Sequence, residues 1–185
     1  MHINIFGASG SGVTTLGNAL AEKLGYPYFD SDHYFWEKSD PPFTVRRDAE
    51  KRNSMINEAI AGLDNWIVGG SVINWNNNWQ FDLSVFLYIP QDVRLQRLKD
   101  RELERYGDII HTDRERNRLY HEFIDWARGY DELITNSRSL YSHRNWIKNL
   151  KTQVLVIEGD TSVEERVGPV MRKIEELEGN PNKRI

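Results

Sequence analysis

The segment Gly7-Ala8-Ser9-Gly10-Ser11-Gly12-Val13-Thr14 constrains this chain more than any other. It follows the apolar run Ile3, Ile5, Phe6, which reads as a buried strand. After it, Val13, Leu16, Leu20 and Leu24 recur at helical spacing until Gly25, a good helix stop. Three glycines in six residues at a strand-to-helix junction exceed what a tight turn needs. They let backbone N–H groups curl around anionic oxygens, with a helix N-terminus behind them. The spacing fits the phosphate-binding pattern G-x-x-x-x-G-[K]-[ST] with one departure: Val13 stands where the lysine belongs. Gly7, Ser9, Gly10, Ser11, Gly12, Val13, Thr14 and Thr15 are therefore expected to hold phosphates, and Thr14 to ligate Mg²⁺. A purely structural turn is the alternative, because Val13 also opens the apolar stripe of the helix.

The remaining chain repeats the strand–helix alternation. Short apolar strands are expected at Tyr26–Phe29, Trp66–Val68, Leu83–Ile89 and Val154–Ile157. Helices are expected at 45–62, 91–105, 113–128 and 137–150, with a last one capped by Thr161 and running to Leu177. In the helix at 45–62, Met55, Ile56, Ala59, Ile60 and Leu63 form the expected buried side. All-apolar strands alternating with amphipathic helices imply an α/β fold: a parallel sheet covered on both faces. At 185 residues the chain is expected to form one domain over 1–178, with a polar frayed tail at 179–185. Ligands in such sheets bind beyond the carboxyl ends of the strands.

Those strand ends carry the other candidate residues. Asp30-Ser31-Asp32 follows the second strand, where alternating positions would aim both carboxylates into one crevice. One carboxylate could hold Mg²⁺ through water and the other could accept a proton from a substrate hydroxyl; an Asx turn or helix cap is the alternative. Gly69-Gly70 after the third strand permits close substrate approach. Trp75 and Trp79, set among Asn74, Asn76, Asn77 and Asn78, either stack on a flat substrate or pin a loop. Arg46 and Arg47 are candidates for a substrate anion or for a solvated helix start. Gly159, after the fifth strand, permits approach of a base or serves an ordinary turn. Arg94, Arg97 and Arg101 share one helix face, and 10 of the chain's 16 arginines lie between Arg94 and Arg144. The same stretch holds 10 acids and one lysine, so it is nearly neutral: a phosphate-binding lid or a salt-bridged surface.

With these residues in hand, the chain resembles small P-loop kinases of the adenylate kinase and shikimate kinase type, including the group labelled adenylate kinase-like or topology-modulation-like. The resemblance runs from Ile3 to Val170, and the glycine loop is its specific part. It implies a five-stranded parallel sheet in the order 2-3-1-4-5 with helices on both faces and a helical lid near 102–135. It implies a magnesium role for Asp30 and a substrate role for Asp32, with Gly69-Gly70 contacting the acceptor. For Arg97 it implies stacking on adenine, and for Arg101 a phosphate contact. ATP or another NTP and Mg²⁺ are the implied cofactors. Val13 departs from both families.

Phosphoryl transfer from an NTP to a small molecule or nucleotide is the leading expectation, with Asp32, Arg97 and Arg101 in the catalytic set. A nucleotide-binding regulatory module that has lost transfer is the second. A nucleic-acid partner is the weakest, since a net charge of −4 gives no general electrostatic footprint for DNA. With no cysteine there is no disulfide framework and no thiolate metal site, and no apolar run reaches membrane-spanning length. A cytoplasmic location is the expectation that goes with this.

Overall fold

Residues 1–133 and 138–179 are described by the computed structural model. Five strands, β1 (His2–Gly7), β2 (Tyr28–Asp30), β3 (Trp66–Gly69), β4 (Leu83–Tyr88) and β5 (Gln153–Glu158), form one sheet. Its order is β2-β3-β1-β4-β5, every pairing is parallel, and β1 lies at the centre, as the resemblance implies. The helices are α1 (Val13–Leu24), α2 (Ser31–Phe35), α3 (Ala49–Ile60), α4 (Gln91–Tyr106), α5 (Ile109–Thr112), α6 (Arg114–Glu132), α7 (Leu140–Asn149) and α8 (Val163–Gly179).

The period of two along each strand decides which helix covers which face. Ile3, Ile5, Leu83, Val85 and Leu87 point to one side, against Leu16 and Leu20 of α1 and Val170, Ile174 and Leu177 of α8. On the other side, Trp66 and Val68 meet Ile56 of α3, while Phe6 and Phe86 meet Tyr130 of α6 and Leu140 of α7. Each of these fully buried aliphatic side chains contributes about 1.5–3 kcal/mol of transfer free energy. A separate cluster, Leu95, Leu98, Ile110, Tyr120, Ile124 and Ala127, holds α4 to α5 and α6 beyond the sheet. That region contains most of the stretch expected at 102–135; residues 134 and 135 lie outside the described residues, as does the expected tail beyond Gly179.

Several elements differ from the sequence expectation. The helix expected at 45–62 begins only at Ala49, because Asp48 caps it by accepting from the N–H groups of Glu50 and Lys51 at 2.9 and 3.0 Å. Upstream, residues 36–46 form a strap closed by an antiparallel bridge between Trp36 and Arg46. Met55 and Leu63, expected inside, are each 38% exposed, leaving Ile56 as the fully buried anchor of α3. β5 is an edge strand, and its Val156 is 46% exposed. The last helix is capped by Ser162, whose hydroxyl accepts from the Glu165 N–H at 3.2 Å; Thr161 Oγ1 instead accepts from Arg166 Nε.

Candidate active site

The glycine loop bends back over the top of β1 through two left-handed positions, Gly10 at φ 80° and Gly12 at φ 87°. Gly12 is also the N-cap of α1, and it supplies no side chain to bond the first-turn N–H groups. No acid lies in that turn either, so its free donors and the positive end of the helix face outward together. That arrangement fits a polyphosphate. Arg166 of α8 donates from Nη1 to Ser11 O at 2.9 Å and from Nη2 to Thr161 O at 2.6 Å. Arg97 of α4 donates from Nη1 to Gly10 O at 3.3 Å and pairs with Asp160. Two guanidinium groups thus hold the loop's carbonyls and tie it to the β5–α8 turn.

Thr14 and Asp30 meet in front of the loop. Thr14 Oγ1 donates to Asp30 Oδ2 at 2.9 Å, which puts a hydroxyl and a carboxylate oxygen side by side, a donor set suited to a hard divalent cation. The acidic pair converges by a different route from the one strand alternation suggests. β2 ends at Asp30, and Asp30 Oδ1 accepts from the Asp32 N–H at 2.9 Å, so Asp30 caps α2 while Asp32 sits in its first turn. Asp32 lies on the wall of a deep cleft where solvent still reaches it, but the surrounding protein strips hydration from the carboxylate. Its pKa is raised mainly by that desolvation, against the opposing pull of the Arg138 charge.

A cavity of about 990 Å³ opens between these groups. Gly7, Ser9, Gly10, Gly12, Val13, Thr14 and Thr15 line its loop side, and Asp30, Asp32, Arg46, Gly69, Gly70, Trp75, Arg97 and Arg101 line the rest. Three expected residues are elsewhere. Ser11 is fully buried under the loop. Arg47 donates to the carbonyls of His33 and Tyr34 and pairs with Glu37 at 3.1 Å, which pins the end of α2 to the strap. Gly159 turns the chain at the end of β5, its N–H donating to Tyr88 O at 3.0 Å, while Thr161, Ser162 and Val163 reach the cavity.

Trp75 is 5% exposed and packs in the core beneath Arg52, and it also forms part of the cavity wall. Trp79 pins its loop, with Nε1 donating to Asn57 Oδ1 at 2.7 Å and its ring against Trp66 and Phe81. Arg94 belongs to the core, being 1% exposed, with Nε on Ile89 O and an ion pair to Asp131.

Sequence reasoning missed the aromatic wall of this cavity. Phe35, Trp36 and Phe43 approach from α2 and the strap, and Tyr106, Phe123 and Trp126 from α4 and α6. Arg105 lies over Phe43 at 5.1 Å and Arg116 over Tyr106 at 4.2 Å, so the wall pairs flat rings with cations. These residues are scattered over 90 positions of sequence and carry no local motif.

Two buried polar groups hold the Gly70–Ser71 side of the cavity in shape. Asn4, in the central strand, donates to Val68 O at 3.0 Å and Gly70 O at 3.3 Å. His143, fully buried, sits between Tyr130 Oη at 2.7 Å and Ser71 Oγ at 3.0 Å, linking α6 and α7 to the loop after β3. Burial, helped by the Arg138 charge, pushes His143 down to about 3, so it is neutral at physiological pH. Gly70 has φ 116°, and an added Cβ would lie 1.7 Å from Ser31 Oγ. Gly70→Ala is expected to lower stability by about 1–3 kcal/mol through forced backbone strain. It should displace Ser31 and with it Asp32, while nucleotide affinity at the loop stays near wild type. Thermal melts and nucleotide titrations of the variant check both halves.

The AAA domain family model AAA_18 matches residues 3–121. The uncharacterized protein YqaC of Bacillus subtilis (strain 168) is 39% identical over 172 residues, which cover 92% of this chain and 95% of that protein. A shikimate kinase of a Psychrobacter species is 31% identical over 105 residues, half of this chain and 58% of that enzyme. Among solved structures, a deoxyadenosine kinase from M. mycoides with bound dATP superposes with a TM-score of 0.55 at 15% identity, covering 95% of this chain and all of that one. That superposition shows a shared fold.

Proposed function

Since the chain belongs to the AAA domain family, a P-loop family, we propose that it transfers a phosphoryl group from a nucleoside triphosphate to a small molecule or nucleotide. The observation that carries the reading is the convergence of the uncapped glycine loop, the Thr14–Asp30 oxygen pair and Asp32 on one aromatic-walled cavity. The relatives named as kinases support the same class of reaction.

In this reading, Gly10, Gly12 and the first turn of α1 bind the phosphates through backbone N–H groups. Thr14 and Asp30 would hold Mg²⁺, which when bound neutralises charge on the phosphate oxygens. Asp32 orients the acceptor hydroxyl and takes its proton, and its raised pKa makes it a stronger base than an exposed aspartate. Arg101, on α4 above Asp32, adds positive charge across the cavity. Arg97 stands at the β5–α8 turn, where a base would lie against Thr161 and Ser162. Phe35, Trp75 and Arg46 form the acceptor wall, chemistry that suits a flat or ring-bearing anion.

Val13 is the observation that favours a binding-only module instead. A thermal-shift titration with Mg·ATP, Mg·GTP and Mg²⁺ alone tests the nucleotide site. At ligand near 100 times Kd, binding adds about 2.7 kcal/mol, a rise of roughly 5–10 °C for a chain of this size. No shift at millimolar nucleotide removes both readings. A shift followed by no turnover in an acceptor screen leaves the module.

A further inference from the structure

We propose that Arg138 replaces the missing loop lysine, an inference that rests on the phosphoryl-transfer reading above. A loop lysine works as a point charge beside the group in transit. Val13 cannot do this: its side chain packs against the sheet core with Leu16 and Leu20. The substitute must be a cation that reaches both the donor loop and the acceptor carboxylate, because the transferred group crosses the interval between them.

Arg138 meets that requirement. Its Nη1 donates to Ser9 Oγ at 3.2 Å, on the loop. Its Nη2 lies 3.9 Å from Asp32 Oδ1, on the acceptor side. One planar guanidinium therefore spans the gap, with the fork geometry that matches two phosphate oxygens. The other cations of the cavity have different partners. Arg97 and Arg166 bond loop carbonyls; Arg101 acts on Asp32 through its charge and lies 6.0 Å from the Phe123 ring; Arg46, Arg105 and Arg116 lie over Phe35, Phe43 and Tyr106. Among the described residues, Arg138 is the cavity cation with a contact to both the loop and Asp32. Arg138 is also held in place. It directly precedes Ser139, which caps α7 through a reciprocal pair of hydrogen bonds with Ser142, and its guanidinium carbon lies 5.9 Å from the Trp126 ring.

In the transfer step the acceptor hydroxyl oxygen forms a bond to the γ-phosphorus as the bond to the β–γ bridging oxygen breaks. The electron pair of that bond leaves with the diphosphate, and the hydroxyl proton passes to Asp32. Arg138 donates to the γ-phosphoryl oxygens throughout, where charge is spread and moving. In the protein alone, Ser9 and Asp32 keep the guanidinium aimed at that spot.

The test is the difference between triphosphate and diphosphate affinity, which a merely structural role would not move. Kd values for a non-hydrolysable ATP analogue and for ADP, both with Mg²⁺, are measured by calorimetry on wild type, Arg138→Ala, Arg138→Lys and the double variant Val13→Lys/Arg138→Ala. Arg138→Ala should weaken the analogue by about 10- to 100-fold, the range for losing a hydrogen bond to a charged group, with ADP nearly unchanged. Arg138→Lys should retain part of the preference, and the double variant should restore it by returning a lysine to the loop. Equal loss for both nucleotides, or no loss, overturns the assignment and leaves the phosphoryl-transfer reading standing. Wild type that binds neither nucleotide removes the reading and this assignment with it.

Discussion

Asp32→Asn is expected to lower phosphoryl transfer by about 10²–10⁴-fold, the usual contribution of a positioned general base. Asparagine keeps the size and the position in the first turn of α2, so the cap from Asp30 and the loop geometry should persist. Affinity for Mg·nucleotide should therefore stay within a few-fold while turnover falls. Stability should move the other way. Asp32 has a folded-state pKa raised above its unfolded value, mainly by desolvation, so its charged form is disfavoured in the fold. Its contribution is best below the unfolded pKa and is lost as pH rises through the folded one. Removing the charge should then raise the melting temperature slightly at neutral pH, with the gain vanishing in acid. The wild-type rate should rise with pH through the same raised pKa, as Asp32 becomes a base. Single-turnover rates and melts from acid to neutral pH check all three. Full activity in Asp32→Asn would move the proton acceptor elsewhere.

The sheet was legible because its signals are local. The run Ile3–Phe6, the glycine loop and the period of α1 together specify a strand, a phosphate turn and a helix within 24 residues, and β3 and β4 are equally apolar. The order of the strands came only from the resemblance, since pairing is long-range. Boundaries failed where a cap outweighed periodicity. Asp48 caps α3, whose first residue, Ala49, lies four past the expected start, and Asp30 caps α2, the helix-cap alternative to strand alternation at this position. At the site, the residues contributed by strand ends were readable, because a parallel sheet gathers them at one edge. Arg138 and the aromatic wall were not. Their positions depend on how α2, the strap, α4, α6 and the start of α7 come together above the sheet, and no spacing rule encodes that. Arg94 shows the opposite failure. Its place in the row with Arg97 and Arg101 suggested a shared face, yet α4 turns Arg94 inward while Arg97 and Arg101 reach the cavity.

That inward arginine is where the largest loss of stability is expected. Arg94 is 1% exposed, donates from Nε to Ile89 O at 3.0 Å, pairs with Asp131 and lies 5.0 Å from the centre of the Tyr130 ring. Arg94→Met fills much of the same volume but leaves Asp131 as a largely buried carboxylate that, among the described residues, keeps the weaker donor Gln91 Nε2 at 3.3 Å. Removing one partner of a buried ion pair costs about 3–5 kcal/mol. For a protein of this size that lowers the melting temperature by roughly 6–20 °C. The damage should extend toward the site, because Tyr130 also holds His143, and His143 holds Ser71. Arg118 supplies the contrast. It pairs with both Glu115 and Glu122, but all three side chains are more than half exposed, so Arg118→Ala should leave the melting temperature nearly unchanged. The double variant Arg94→Met/Asp131→Leu should recover most of the loss, since a buried ion pair can be replaced by apolar groups of similar volume with little cost once neither charge remains. Thermal melts of the three variants decide the matter. If Arg94→Met melts with the wild type, Asp131 is hydrated enough to do without its partner, and α4 is held to α6 by the Leu98–Ile124 cluster alone.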